Sequence, residues 1–214
     1  MKDLKTNRII QIVYPLFLYY VIYDLANVIF RGFFAEKFGN LFCLLLAACI
    51  TIPFLLQVYL RLPIVRMDFS FKKETMKRDI FLVLLVVVVG ILLNMIASHL
   101  PLQEISEGYQ RANETLWDGN LIVKILCNAI AVPILEELLF RGIVCNQLSF
   151  WFKPWVGILI SSILFGIMHF NVIQFLYAFI VGLILGVSYI KTHNLVIPIL
   201  GHGLTNLIVI LYFM

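Results

Sequence analysis

The sequence predicts an all-α fold, a polytopic bundle of about seven membrane helices. Three observations predict it. Of 214 residues, 62% are hydrophobic and only 13% charged, whereas a soluble domain carries about a quarter charged residues. The mean hydropathy is +1.00. The apolar residues also come in runs of about 20, the length that crosses a bilayer.

The runs fall in order. The first covers about residues 9–30 and the second about 38–60. The third, about 80–98, holds the four valines Val86, Val87, Val88 and Val89. The fourth starts near Leu121, the fifth at Trp155 and the sixth near Phe175. The sixth is short and ends at Lys191. The seventh covers about 195–213. Gly182 and Gly186 give the sixth a small-xxx-small spacing, which lets helices approach closely.

Basic residues orient the segments. Arg61, Arg66, Lys72, Lys73, Lys77 and Arg78 crowd the second loop, and such clusters stay in the cytoplasm. The loop 99–120 sets Arg111 against Glu104, Glu107, Glu114 and Asp118 and reads as outside. Lys2, Lys5 and Arg8 place the N-terminus in the cytoplasm of a multi-pass cell-membrane protein. Lys153 and Lys191 keep the later loops inside, Arg31 and Lys37 break the pattern mildly, and the C-terminus falls outside. Trp117, Trp151 and Trp155 sit at segment ends, where an interfacial belt places them. The first run is too long for a cleavable signal's apolar region. The net charge of +4 comes from topology signals, not from a nucleic-acid patch, so nucleic acid is excluded as a partner. Cys43, Cys49, Cys127 and Cys145 show no metal spacing and read as packing residues. Asn113-Glu114-Thr115 has the glycosylation pattern, a short and unspecific one. No repeat or flexible linker divides the chain. It reads as one domain over 1–214, with N-terminal helices in 1–98 and a core in 121–214.

Ionisable groups at membrane depth are the exception to this greasy pattern. Residues 131–142 read AVPILEELLFRG. A carboxylate at the centre of a membrane helix costs roughly 2.5–3.5 kcal/mol even on lenient scales, so Glu136 and Glu137 need a reason. On a helix, Glu137 and Arg141 are four apart and share a face. Glu136 lies about 100° round from Glu137, so the two carboxylates have different jobs: Glu137 pairs with Arg141 and Glu136 points elsewhere. His202 and Asn206 are also four apart, flanked by Gly201 and Gly203, and Phe165 and His169 share that spacing. Asp24, beside Tyr23, reads as structural, paired with a basic group elsewhere. For Glu136 and His169 to meet, the fourth helix must continue inward. That predicts a long, tilted helix over 121–150 with Glu136 near its middle.

Known intramembrane protease chemistries narrow the choice. No His-Glu-x-x-His is present for a site-2-type zinc enzyme. Ser161-Ser162 lacks the rhomboid-type Gly-x-Ser-x, and Asp24 lacks the presenilin-type Gly-x-Gly-Asp. What remains is Glu-Glu-x-x-x-Arg, Phe-x-x-x-His and His-x-x-x-Asn, in that order, on three segments. The ordered triplet, within residues 121–214, resembles the CAAX-protease and bacteriocin-processing family of intramembrane endopeptidases, also called the abortive-infection family. By position, the resemblance implies Glu136 as catalytic carboxylate with Glu137 its neighbour and Arg141 the motif arginine. It implies His169 as the second-motif histidine and His202 with Asn206 as the third motif. Glu136, helped by His169, would then activate water, and His202 and Asn206 would bind the oxyanion. No cofactor is firmly implied. The rival reading puts Zn²⁺ on Glu136, His169 and His202 with one position open; Asn206 favours the metal-free account. The implied partners are the bilayer and a membrane-associated peptide or protein: a leader, pheromone, bacteriocin or protein tail. A non-enzymatic immunity or scaffold protein is the alternative, and a transporter fits poorly because no inverted repeat is present.

Overall fold

A computed structural model describes residues 6–63, 72–99, 110, 114 and 119–212. Among them are seven helical segments and an all-α membrane bundle. These are α1 (Arg8–Phe38), α2 (Asn40–Arg61) and α3 (Met76–His99), then a composite α4 over residues 121–151, then α5 (Pro154–Ile167), α6 (Val172–Thr192) and α7 (Val196–Tyr212). Each expected apolar run is a helix. Four of them, α1, α2, α3 and α6, are long and apolar enough to cross a membrane, while α5 and α7 are apolar but shorter. Lys2, Lys5, Arg66, Glu104, Glu107, Arg111, Trp117, Asp118 and the Asn113 and Thr115 of the glycosylation pattern lie outside the described residues.

Local signals start and stop these helices. Asn7 Oδ1 accepts from the N–H groups of Ile9 and Ile10 and opens α1. Gly39 alone separates α1 from α2, at φ 84°. That left-handed value suits a residue without Cβ, and its N–H closes onto the Ala35 carbonyl. Asp79 in the first turn of α3 accepts from Thr75 and Arg78, a favourable place for a carboxylate at a helix start. Asn120 Oδ1 accepts from Val123 N–H and opens α4.

Helix α4 is the axis of the bundle. Every residue of its piece Leu138–Cys145 is buried. Helices α1 and α2 flank one side through Tyr19, Leu55 and Tyr59, which share a core cluster with Leu135, Leu139 and Ile143. On the other side Gly182 of α6 abuts Arg141 and Ser162, and Gly186 abuts Ile158. The small-xxx-small pair thus packs as its spacing predicts. Helix α3 joins α7 by a complementary fit: Gly201 receives Val86, and Gly90 receives Thr205. The outer surface carries large apolar side chains such as Phe17, Leu25, Phe81 and Trp155. A bundle in lipid need not hide such groups, provided its backbone is internally bonded. Cys43, Cys127 and Cys145 are buried as packing residues, whereas Cys49 is exposed; all four are free thiols.

Candidate active site

Helix α4 does not keep one register. It runs α (Leu121–Lys124), π (Ile125–Ala131), α (Val132–Glu137), π (Leu138–Cys145) and α (Asn146–Trp151). The long expected helix is present, but the glutamate pair closes a short α piece between two wider turns. Such π turns cluster at functional sites because they re-aim side chains. Pro133 explains the first. Val132 N–H bonds back to the Cys127 carbonyl, five residues away, and Pro133 has no N–H to give. Neither usual donor reaches the Asn128 carbonyl. The Asn206 amide supplies the missing hydrogen bond, Nδ2 to O at 2.8 Å.

Gly203 makes that approach possible. A Cβ there would stand 2.5 Å from the Ala129 carbonyl oxygen, a contact with backbone that cannot swing away. Gly203→Ala is expected to push α7 off α4 and lower stability by about 1–3 kcal/mol. Thermal unfolding of the purified protein measures it; an unchanged midpoint would refute the close fit.

The two glutamates divide as their positions predict. Glu137 is wholly buried, and its Oε1 accepts from Arg141 Nη1 at 3.0 Å and meets His202 Nδ1 at 3.0 Å. Arg141 Nη2 donates to the Gly182 carbonyl at 3.1 Å, and its guanidinium stacks 4.6 Å from the Phe165 ring centre. Glu136 is mostly but not wholly buried. Its Oε2 lies 3.8 Å from His202 Nε2, and both His202 and His169 are within its electrostatic reach.

His169 is held differently from expectation. Helix α5 ends at Ile167, and His169 sits in the turn that follows. Phe170 turns the chain at φ 54°, and Asn171 both caps α6 at Gln174 N–H and donates to the His169 carbonyl. His169 Nδ1 lies 2.9 Å from the Phe165 carbonyl. A carbonyl only accepts, so Nδ1 carries the proton and the lone pair of the neutral ring is on Nε2. The Phe165 ring meets both His169 and His202 edge-on, with centroids 5.1 and 5.9 Å apart. Of the six residues singled out from the sequence, Glu136, Glu137, Arg141, His169 and His202 are linked to one another or through Phe165 where α4, the α5–α6 turn and α7 meet, while Asn206 bonds α4 further back, at Asn128.

Among the described residues, no three His, Cys, Asp or Glu side chains gather to hold an ion. Ser161 and Ser162 are buried and bond the Ile158 carbonyl of their own helix, as expected of non-catalytic serines.

Tyr19 and Tyr23 of α1 are the neighbours sequence reasoning missed. Their rings stack 5.4 Å apart, and both lie within electrostatic reach of Glu136. Aromatic residues in an apolar helix carry no signal of what they face. Pro133, one turn before the glutamates, was the available signal for the irregular register.

Known proteins share this region. Residues 118–208 match the family model described as Rce1-like, type II CAAX prenyl endopeptidase. An Escherichia coli protein described as "Uncharacterized 24.3 kDa protein" is 36% identical over 88 residues, covering 39% of this chain and 41% of that protein. The Bacillus subtilis (strain 168) protein named "Putative membrane peptidase YdiL" is 32% identical over 87 residues, covering 41% of this chain and 36% of its own. The chain thus spans less than half the length of either relative. No solved structure matches. The resemblance carried by the three motifs is borne out over that stretch: residues 118–208 are similar to the Rce1-like, type II CAAX prenyl endopeptidases.

Proposed function

We propose that this protein is an intramembrane endopeptidase, hydrolysing a peptide bond of a membrane-associated protein or peptide with water activated by Glu136 and His169. One observation carries the reading: the adjacent carboxylates are used oppositely. Glu137 is consumed by Arg141 and His202, while Glu136 keeps 14% of its side chain exposed, 3.8 Å from His202 Nε2 and within electrostatic reach of His169. Glu136 takes a proton from water, and the oxygen attacks the scissile carbonyl carbon. The tetrahedral intermediate then collapses, the C–N bond breaks and the leaving amine receives that proton. The Nε2 lone pair of His169 orients the water. His202, held by Glu137, and the second N–H of the Asn206 amide donate to the oxyanion.

Leader peptides, pheromones, bacteriocins and membrane-protein tails are the substrate classes that fit, with the N-terminus of the protein in the cytoplasm. Purified protein in proteoliposomes, given a membrane-peptide library, is expected to yield new termini detectable by mass spectrometry. A wild type that cleaves nothing, while still protecting cells in a bacteriocin assay, would favour the immunity reading.

The metal-free reading has its own test. Chelators are expected to leave cleavage intact. Asn206→Ala is expected to slow turnover by up to about 10²–10³ with little change in substrate binding. One zinc per chain, lost together with activity in His169→Ala, would reverse the assignment.

A further inference from the structure

Asp24 is an ionisable residue that the proposed mechanism does not use. It lies midway along α1, exposed on the helix surface. The sequence reading gave it a basic partner, but among the described residues no ion pair or hydrogen bond reaches it. An ionisable side chain in a membrane helix is costly unless it meets a partner, water or a ligand. One turn further on, Asn27 shares its face. Its Oδ1 is buried and has no hydrogen-bond partner. A carboxylate and an amide oxygen are both acceptors, and among the described residues no donor reaches either.

The position of the pair is well defined. Gln147 Nε2 donates to Gln11 Oε1 at 2.9 Å, and Arg8 lies over the Trp151 ring. Both contacts set α1 antiparallel to α4 in one register. Counting equal rise along both helices, Glu136 is level with about residue 22 of α1. Tyr19, Tyr23 and Asp24 therefore bracket its depth. The ring of Tyr20, one turn before Asp24, lies 6.5 Å from that of Phe170, the residue after His169. The polar stripe Tyr20, Tyr23, Asp24 and Asn27 thus runs beside the turn that carries His169.

We propose that Asp24 and Asn27 form a subsite on α1 for a cationic side chain, Lys or Arg, of the substrate peptide, at the depth of Glu136 and beside the His169 turn. The proposal rests on the peptidase reading for the nature of its ligand. A Lys or Arg in an apolar substrate segment bears the same solvation cost as Asp24, and pairing offsets both. Arg presents several N–H donors in a fork, enough to serve the carboxylate and the Asn27 oxygen together.

The test uses the full chain in nanodiscs and two labelled apolar 20-residue peptides that differ only in a central Lys or Gln. Wild type is expected to bind the Lys peptide about ten-fold or more tighter, and Asp24→Asn to erase that preference. Asp24→Lys should favour a third peptide with a central Glu. Cleavage of the same peptides is followed in parallel. Discrimination without cleavage sinks the hydrolase but keeps the cationic subsite. The same Lys-to-Gln ratio in wild type and Asp24→Asn overturns the subsite, and so does an altered oligomeric state in Asp24→Asn with that ratio unchanged, which would assign Asp24 to a contact between helices.

Discussion

Glu136→Gln is expected to abolish peptide-bond cleavage while the protein still inserts and folds. General-base catalysis contributes typically about 10²–10⁴-fold, and a Gln amide has no basic lone pair to accept the proton. The substitution keeps the shape of the side chain. It leaves the Glu137, Arg141 and His202 contacts untouched, because none of their hydrogen bonds involves Glu136. Yield, monodispersity and thermal unfolding should therefore match wild type. The observation behind the prediction is a carboxylate 14% exposed with a histidine nitrogen 3.8 Å away and, among the described residues, no arginine or lysine ion pair. Full cleavage by the Gln variant would remove Glu136 from the chemistry. Loss of folding together with activity would make it structural.

The protein holds His169 and His202 in different ways. His169 is fixed by a backbone carbonyl in a turn, whereas His202 is fixed by a buried carboxylate that is itself fixed by an arginine. The first arrangement fixes the Nδ1 proton on the Phe165 carbonyl. The second turns Nδ1 to a carboxylate, which only accepts, so Nδ1 donates to Glu137.

The elements legible in the sequence are those set by short-range pattern. Bilayer thickness dictates run length, so the seven helices described could be read from apolar runs alone. The Glu137–Arg141 pair was legible because four residues make one helical turn. The partners across the bundle were not. His202 reaches Glu137 over 65 positions of chain, and no local signal encodes that. The end of α5 before His169 was missed because the left-handed turn is made at Phe170, not at a glycine or asparagine. The π turns of α4 were missed because register is decided by which carbonyls find donors. Pro133 removes one donor, and Asn206, 78 positions away, supplies another. The role of Asn206 was legible only as a motif position. Its tie to the Asn128 carbonyl gives it a structural duty beside the proposed catalytic one.

Arg141→Met is expected to lose protein rather than chemistry alone. The Arg141 side chain is wholly buried and makes three contacts of different kinds: the Glu137 carboxylate, the Gly182 carbonyl and the face of Phe165. Removing one partner of a buried ion pair costs roughly 3–5 kcal/mol, because the other charge stays behind unpaired. Glu137 Oε2 and Arg141 Nε already lack hydrogen-bond partners, so the site has little slack to absorb the loss. Arg141→Lys should not restore it, since an ammonium cannot lie flat on Phe165 and bond both oxygens in a fork. The decisive variant is the double substitution Arg141→Met with Glu137→Gln. It removes both charges, so its thermal midpoint should recover much of what Arg141→Met loses, although His202 loses its carboxylate and cleavage stays low. If the double variant is less stable than Arg141→Met by the full cost of losing Glu137, the two residues act independently. The charge pair would then not be what holds α4 against α6 and α7.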